Sequence, residues 1–263
     1  MKILFMTGSH PRHAYIAKCI NDAGALAGLV IEEREDHVPS PPIGLSPDLK
    51  TLFVQHFQKR AKSEAKFFNN NKLAEKETLF VTRETLNSYE TQSFIRKINP
   101  DILLSYGVHK LTDDTINSAK KEKWNIHGGL SPWYRGCITH FWPSYFLEPQ
   151  MTGMTVHDLT QELDAGAIVH QTAAKLVPND GLHDLSCRAV LSLGEEMTEF
   201  IKIISGKSNI KKLAHKTSGR IWTSKDWRPE HLKLIYKVYN DRIVDAYLNG
   251  ELENRIPKLH RQF

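Results

Sequence analysis

The chain lacks the features that mark several protein classes at a glance. Its three cysteines, Cys19, Cys137 and Cys187, are odd in number and widely spaced, which supplies neither a disulfide framework nor a zinc-ligand pattern. No apolar run approaches the length of a membrane span. The opening Met1-Lys2-Ile3-Leu4-Phe5-Met6 is too short for a signal peptide and reads as a first buried strand, so a cytoplasmic setting and no membrane partner are expected. The Gly-x-Gly-x-x-Gly turn of dinucleotide-binding folds is missing, and so is the Gly-x-Ser-x-Gly elbow of serine hydrolases. There is no internal repeat and no low-complexity tract.

Neither sign of charge dominates. Thirty-five basic against thirty acidic residues leave a net charge of +5 and an isoelectric point near 9.0. The basic residues are scattered, and their densest clusters, Lys120-Lys121-Glu122-Lys123 and Lys211-Lys212, have no interleaved aromatics. That pattern argues against nucleic acid as a partner and suits a phosphorylated or nucleotide-linked small molecule.

What is present describes one globular core with a small appendage: 263 residues, 40% hydrophobic and 25% charged. An apolar run over Lys2–Thr7, helical spacing over His13–Ala23 and a second apolar run over Leu26–Glu32 give a β-turn-α-β opening. Its Gly8-Ser9 turn reads first as a tight strand-to-helix connection and second as a phosphate cradle. Four prolines make 33–47 a loop, and an amphipathic helix follows over 48–70. Strand, helix and strand are expected over 74–82, 86–98 and 100–107. Ala167–Gln171 and Lys175–Val177 read as two further strands, and Leu182–Ile204 as a long helix. The fold class is therefore α/β, a doubly wound, Rossmann-like and mostly parallel sheet. Residues 1–205 are expected to form the main domain. Residues 206–263 form a small extension, with a hairpin over Leu213–Trp222 and a helix over Pro229–Leu248.

The chemistry concentrates at Asn125-Ile126-His127. If Trp124–His127 ends a buried central strand, side chains at i and i+2 share a face, so an amide and an imidazole converge at a strand's carboxyl end. Asp164, in Glu162-Leu163-Asp164-Ala165-Gly166, can return on a loop to orient the imidazole. The histidines 127, 140, 157 and 170 show no i, i+4 pairing with a carboxylate, so no metal site is expected. Cys137 lies near this stretch and reads as inert.

The stretch Asn125-Ile126-His127-Gly128-Gly129-Leu130-Ser131-Pro132-Trp133-Tyr134-Arg135-Gly136 resembles the signature of the folate-dependent formyltransferases. Thr152-Gly153-Met154-Thr155-Val156-His157 and Leu163-Asp164-Ala165-Gly166-Ala167-Ile168-Val169 resemble that family's second block. The likeness runs from about residue 95 to 205 and departs at Gly128-Gly129, where the family often carries Pro-Ser. The resemblance implies N10-formyltetrahydrofolate as co-substrate and Asn125, His127 and Asp164 as catalytic residues. It implies a folate site along Tyr106, Gly107, Val108, His109 and Leu111, walled by Glu162, Leu163 and Gly166, with Tyr134, Arg135 and His157 in support. Within the family, the short extension 206–263 is most similar to the sugar-nucleotide N-formyltransferases of surface-polysaccharide pathways. A nucleotide-linked amino sugar is accordingly the implied acceptor. A methionyl-tRNA or other small-amine formyltransferase, and a module without turnover, are the alternatives, and a homodimer is left open.

Overall fold

The computed structural model describes residues 1–33, 38–69, 71–207, 209–214 and 220–263. In chain order the strands and α-helices are β1 (Ile3–Gly8), α1 (Pro11–Asp22), β2 (Leu26–Glu32), α2 (Pro47–Phe68), β3 (Thr78–Val81), α3 (Tyr89–Ile98), β4 (Ile102–Tyr106), α4 (Asp113–Asn117) and β5 (Glu122–His127). There follow β6 (Arg135–Gly136), α5 (Trp142–Tyr145), β7 (Gly153–Asp158), β8 (Ile168–Ala173), α6 (Leu182–Ser205), β9 (Ile221–Trp222) and α7 (Ile243–Leu248).

Seven strands form one sheet in the order β3-β2-β1-β4-β5-β7-β8. The first five run parallel, and β7 and β8 are antiparallel additions. Strands β1 and β4 are buried along their whole length because helices cover both faces of the sheet, which is why they read as unbroken apolar runs rather than alternating ones. On one face Ile16, Ala17 and Ile20 of α1 and Val190, Leu193 and Met197 of α6 pack over Phe5, Leu104 and Ile126. On the other face Ile95 of α3 and Ile116 of α4 pack over Leu4, Met6 and Leu103. Local signals set the helix limits. Ser46 and Ser88 cap α2 and α3 through bonds from the N–H groups of Leu49 and Thr91, and Asn99, at φ 48°, ends α3 in the left-handed conformation.

Three expectations need correction, and part of a fourth falls outside the described residues. Residues 34–37 of the proline-rich loop lie outside the described residues. Lys175–Val177 forms no strand, because its partner has run out. The Ala174 N–H reaches the Thr152 carbonyl at 2.8 Å, and ahead of β7 the chain coils into a 3-10 turn, Pro149–Met151. The hairpin over Leu213–Trp222 is replaced by two separate pairings: Leu213 bridges Ile168, and β9 runs parallel to β6; residues 215–219 between them lie outside the described residues. The long helix over Pro229–Leu248 is broken into a 3-10 turn (Pro229–His231), a π turn (Leu234–Val238) and α7. Asn240 and Asp241 take φ values of 50° and 60°, and the Asp241 N–H closes on the Ile235 carbonyl at 2.7 Å, so the chain turns there. This C-terminal segment packs on its own chain: Trp222, Leu232, Ile235, Tyr236 and Ile243 join Leu52, Tyr134, Phe141 and Trp142 in a third apolar cluster.

Candidate active site

Asn125 and His127 sit at the carboxyl end of β5, the strand where the sheet changes from parallel to antiparallel. Across the antiparallel ladder Asn125 faces His157 and His127 faces Thr155, so β7 delivers a second imidazole beside the amide. The chain leaves β7 at Asp158, and the loop that follows folds back to set Asp164 over the same face. Asp164 Oδ2 lies 3.3 Å from His127 Nδ1, and its Oδ1 lies 3.4 Å from His157 Nε2. Asn125, His127, Asp164 and His157, read from three stretches of sequence, are thus gathered into one cluster.

The loop is held in place by its neighbours. Gly136 donates its N–H to Asp164 Oδ2 at 2.8 Å. Arg135, only 2% exposed, donates Nε–H to the Asp164 carbonyl at 3.0 Å and an Nη2–H to the Leu163 carbonyl at 2.6 Å. Those bonds accompany a left-handed backbone at Asp164, φ 48°, tolerated by Asp more readily than by most residues. The Tyr134 carbonyl accepts from His127 Nε2–H at 2.8 Å, and the Tyr134 hydroxyl donates to Glu148 at 2.8 Å. Below this, Thr155 bonds the Gly129 carbonyl and receives the Ser131 N–H, which ties the 128–132 loop to β7.

These contacts set the charge states. Burial pushes the His127 pKa down, and the carboxylate of Asp164 and the Tyr134 carbonyl only partly offset it. Burial alone would raise the pKa of Asp164, but the two imidazoles and the Gly136 N–H together outweigh it and hold the carboxyl down at about 2. At neutral pH the pair is therefore an ionised carboxylate beside an uncharged ring. With Nε2–H given to Tyr134, the bare Nδ1 faces Asp164 and leaves room for one proton between them.

The expected folate-lining residues 106–111 form a hinge at the end of β4. Tyr106 is buried with its ring 4.5 Å from that of His13. Gly107 turns the chain at φ 68°, where a Cβ would strike His13 at 2.6 Å. The buried Glu32, at the end of β2, accepts the His109 N–H at 2.9 Å and also meets His109 Nδ1. Leu111 points into the apolar cluster under the hinge, and Val108 packs at its edge. Of the 162–166 wall, Glu162 and Leu163 are exposed, whereas Gly166 lies so tightly on the Asp158 carbonyl that a Cβ would sit 1.9 Å from it.

Residues 42–198 match the family model described as formyl transferase. The chain belongs to the formyl transferase family. The chain is 33% identical over 147 residues to the bifunctional polymyxin resistance protein ArnA of Wigglesworthia glossinidia brevipalpis. That match takes in 52% of the present chain but only 22% of the relative's length. Among solved structures, a sugar N-formyltransferase from Shewanella sp FDAARGOS_354 is similar with a TM-score of 0.56 at 14% identity, over 89% of this chain and 87% of that one. The formyltransferase PseJ from Anoxybacillus kamchatkensis, in complex with UDP-4,6-dideoxy-4-formamido-L-AltNAc and tetrahydrofolate, gives 0.52 at 16% identity, covering 92% and 95%. Phosphoribosylglycinamide formyltransferase from Anaplasma phagocytophilum gives 0.54 at 16%, covering 85% and 97%. At these identities the structures share the fold.

Two residues around this candidate site escape sequence reasoning. Ser105 on β4 reaches Asn125, and Glu32 on β2 holds the hinge. Neither lies in a motif. Each is brought in by the register of a parallel ladder, which the local sequence does not display.

Proposed function

We propose that this protein transfers a formyl group from N10-formyltetrahydrofolate to a primary amine carried on a nucleotide-linked amino sugar. The observation that carries the reading is the convergence of Asn125, His127 and Asp164 at one strand end, an arrangement suited to acyl transfer through an oxyanion.

In the reaction the acceptor amine adds to the formyl carbon and the carbonyl electrons move to oxygen. Asn125 meets that oxygen with an N–H and never titrates. The new ammonium gives its proton into the space between Asp164 and His127 Nδ1, and the ring becomes an imidazolium stabilised by the carboxylate. The carbon–nitrogen bond to the folate then breaks, and the proton passes from His127 to the leaving nitrogen. Tyr134, Arg135 and His157 act behind these groups, holding the ring, the loop and the amide. The donor's ring would lie along 106–111, bonded by backbone groups, with 162–166 as the facing wall.

The choice of an amino sugar rests on the relatives. The similar structures include a sugar N-formyltransferase and a formyltransferase in complex with a UDP-linked formamido sugar. The reading includes a cytoplasmic setting and a role in building surface polysaccharide. A panel of amino-sugar nucleotides incubated with N10-formyltetrahydrofolate tests it through release of tetrahydrofolate. Turnover with one of them is expected. The donor assignment is wrong if calorimetry finds a nucleotide sugar bound and no folate bound at millimolar concentration.

A further inference from the structure

An oxyanion donor must present the nitrogen end of the Asn125 carboxamide to the reacting carbon. Turned by half a revolution, the same side chain fills the same space and presents its oxygen instead. Shape does not tell the two apart; hydrogen-bond partners do.

Two partners grip this amide from opposite strands. Ser105 pairs in register with Asn125 on the parallel side, is 1% exposed, and has its Oγ 2.8 Å from Asn125 Oδ1. An amide oxygen carries no proton, so the serine hydroxyl donates. Its single proton has one competing acceptor, the Trp124 carbonyl, which lies farther off at 3.4 Å. On the antiparallel side, His157 gives Nδ1–H to the Asp158 carbonyl at 2.8 Å. In the neutral ring that leaves Nε2 bare, and it accepts from Asn125 Nδ2 at 3.2 Å. A flipped amide would set oxygen against the bare ring nitrogen and lose that bond, and would set N–H against the serine hydroxyl, which could accept it only by turning its own proton to the more distant Trp124 carbonyl.

We propose that Ser105 is a positioning residue of this site. Its hydroxyl, with His157 Nε2, locks the Asn125 amide with one N–H committed to the ring and the second left for the incoming oxygen. Ser105 is the half of the clamp whose role does not depend on a protonation state. His157 accepts only as a neutral ring, and Asp164 Oδ1, 3.4 Å from the same nitrogen, competes for it. The catalytic consequence rests on the formyl-transfer reading, whereas the orientation of the amide does not.

A four-enzyme cycle tests the catalytic consequence: the native chain, Ser105→Ala, Asn125→Ala and the double variant. Ser105→Ala is expected to lower kcat about tenfold, the scale of one hydrogen bond to an oriented group, while KM for donor and acceptor and the melting temperature stay close to native. In the Asn125→Ala background the same substitution is expected to change nothing further, because the group it orients is gone. An equal drop in both backgrounds, or an unchanged kcat in Ser105→Ala, would overturn the proposal. If the native chain formylates no amine at all, the function proposed above fails, and the clamp is read without turnover. The Asn125 carboxamide protons, assigned in 15N-labelled protein by their loss in Asn125→Ala, should exchange slowly in the native chain and quickly in Ser105→Ala. Identical exchange in the two proteins would sink the clamp whatever the enzyme does.

Discussion

Gly136 donates its N–H to the Asp164 carboxylate while the other side of the same glycine is pressed against the Trp222 carbonyl. Its φ is 94°, and a Cβ there would stand 2.1 Å from Trp222 O. The glycine thus joins the candidate site to the C-terminal segment through the β6–β9 pair, and no side chain fits. Gly136→Ala is expected to cost about 1–3 kcal/mol for the backbone conformation alone. Displacing β9 adds to that and pulls the N–H off Asp164. Chemical denaturation and steady-state kinetics check it: stability and kcat should fall together, and native kcat in a destabilised variant would separate the two roles.

His127 and Asp164 act as a proton-holding pair in the proposed reaction. Asp164→Asn keeps the Gly136 bond within reach but removes the charge that stabilises an imidazolium. That variant, like His127→Ala and Asn125→Ala, is expected to lose about 10² or more in kcat. Circular dichroism should show an intact fold. Near-native turnover in His127→Ala with any accepted amine would refute the assignment.

Acid should destabilise the protein before its carboxylates titrate. His56 Nδ1 lies 2.9 Å from the Tyr236 hydroxyl and 3.2 Å from His183 Nε2, so a second proton on the His56 ring would place a charge in this buried cluster, against its neighbouring imidazole. Burial pushes His56 down to about 3, with help from the Arg60 charge, and burial likewise lowers His140 to about 3. Both folded values lie below the ordinary value of about 6.5, so the unfolded chain binds more protons between the two limits. Stability is therefore full above pH about 6.5 and falls toward pH 3 by about 1.4 kcal/mol per unit for each imidazole held neutral. Melting curves across this range should show the slope, and His56→Gln should flatten it. An unchanged slope would show that His56 charges in the folded state.

The C-terminal segment is expected to be part of the core it covers. Leu232 is fully buried among Leu52, Trp142 and Ile235 in the third apolar cluster, and Leu232→Ala should cost about 2–5 kcal/mol. Denaturant midpoints measure this, and a loss below 1 kcal/mol, less than truncating a buried leucine ordinarily costs, would mean that the segment docks loosely.

The sheet was readable because buried parallel strands write themselves as short apolar runs: Leu26–Glu32 is β2 to the residue, and β1 and β4 lie within one or two residues of their expected limits. The amide and imidazole of β5 were readable because i and i+2 share a face. What stayed hidden depends on where the chain goes after it leaves an element. Ser105 is twenty residues from Asn125 and meets it only through strand register. The tail read as one helix because its apolar spacing is helical. The left-handed pair Asn240 and Asp241, whose carboxylate caps the Leu182 N–H at 2.9 Å, interrupts it for a reason that lies in α6.

Arg135 has a consequence for how the site rests between turnovers. Its guanidinium is buried behind the Asp164 loop and spends its bonds on carbonyl dipoles of residues 163 and 164. Beside burial, the guanidinium charge of Arg135 is a further, smaller influence against a proton on His127. With burial it favours an empty proton slot, and in the proposed reaction the acceptor amine supplies the proton that makes the imidazolium.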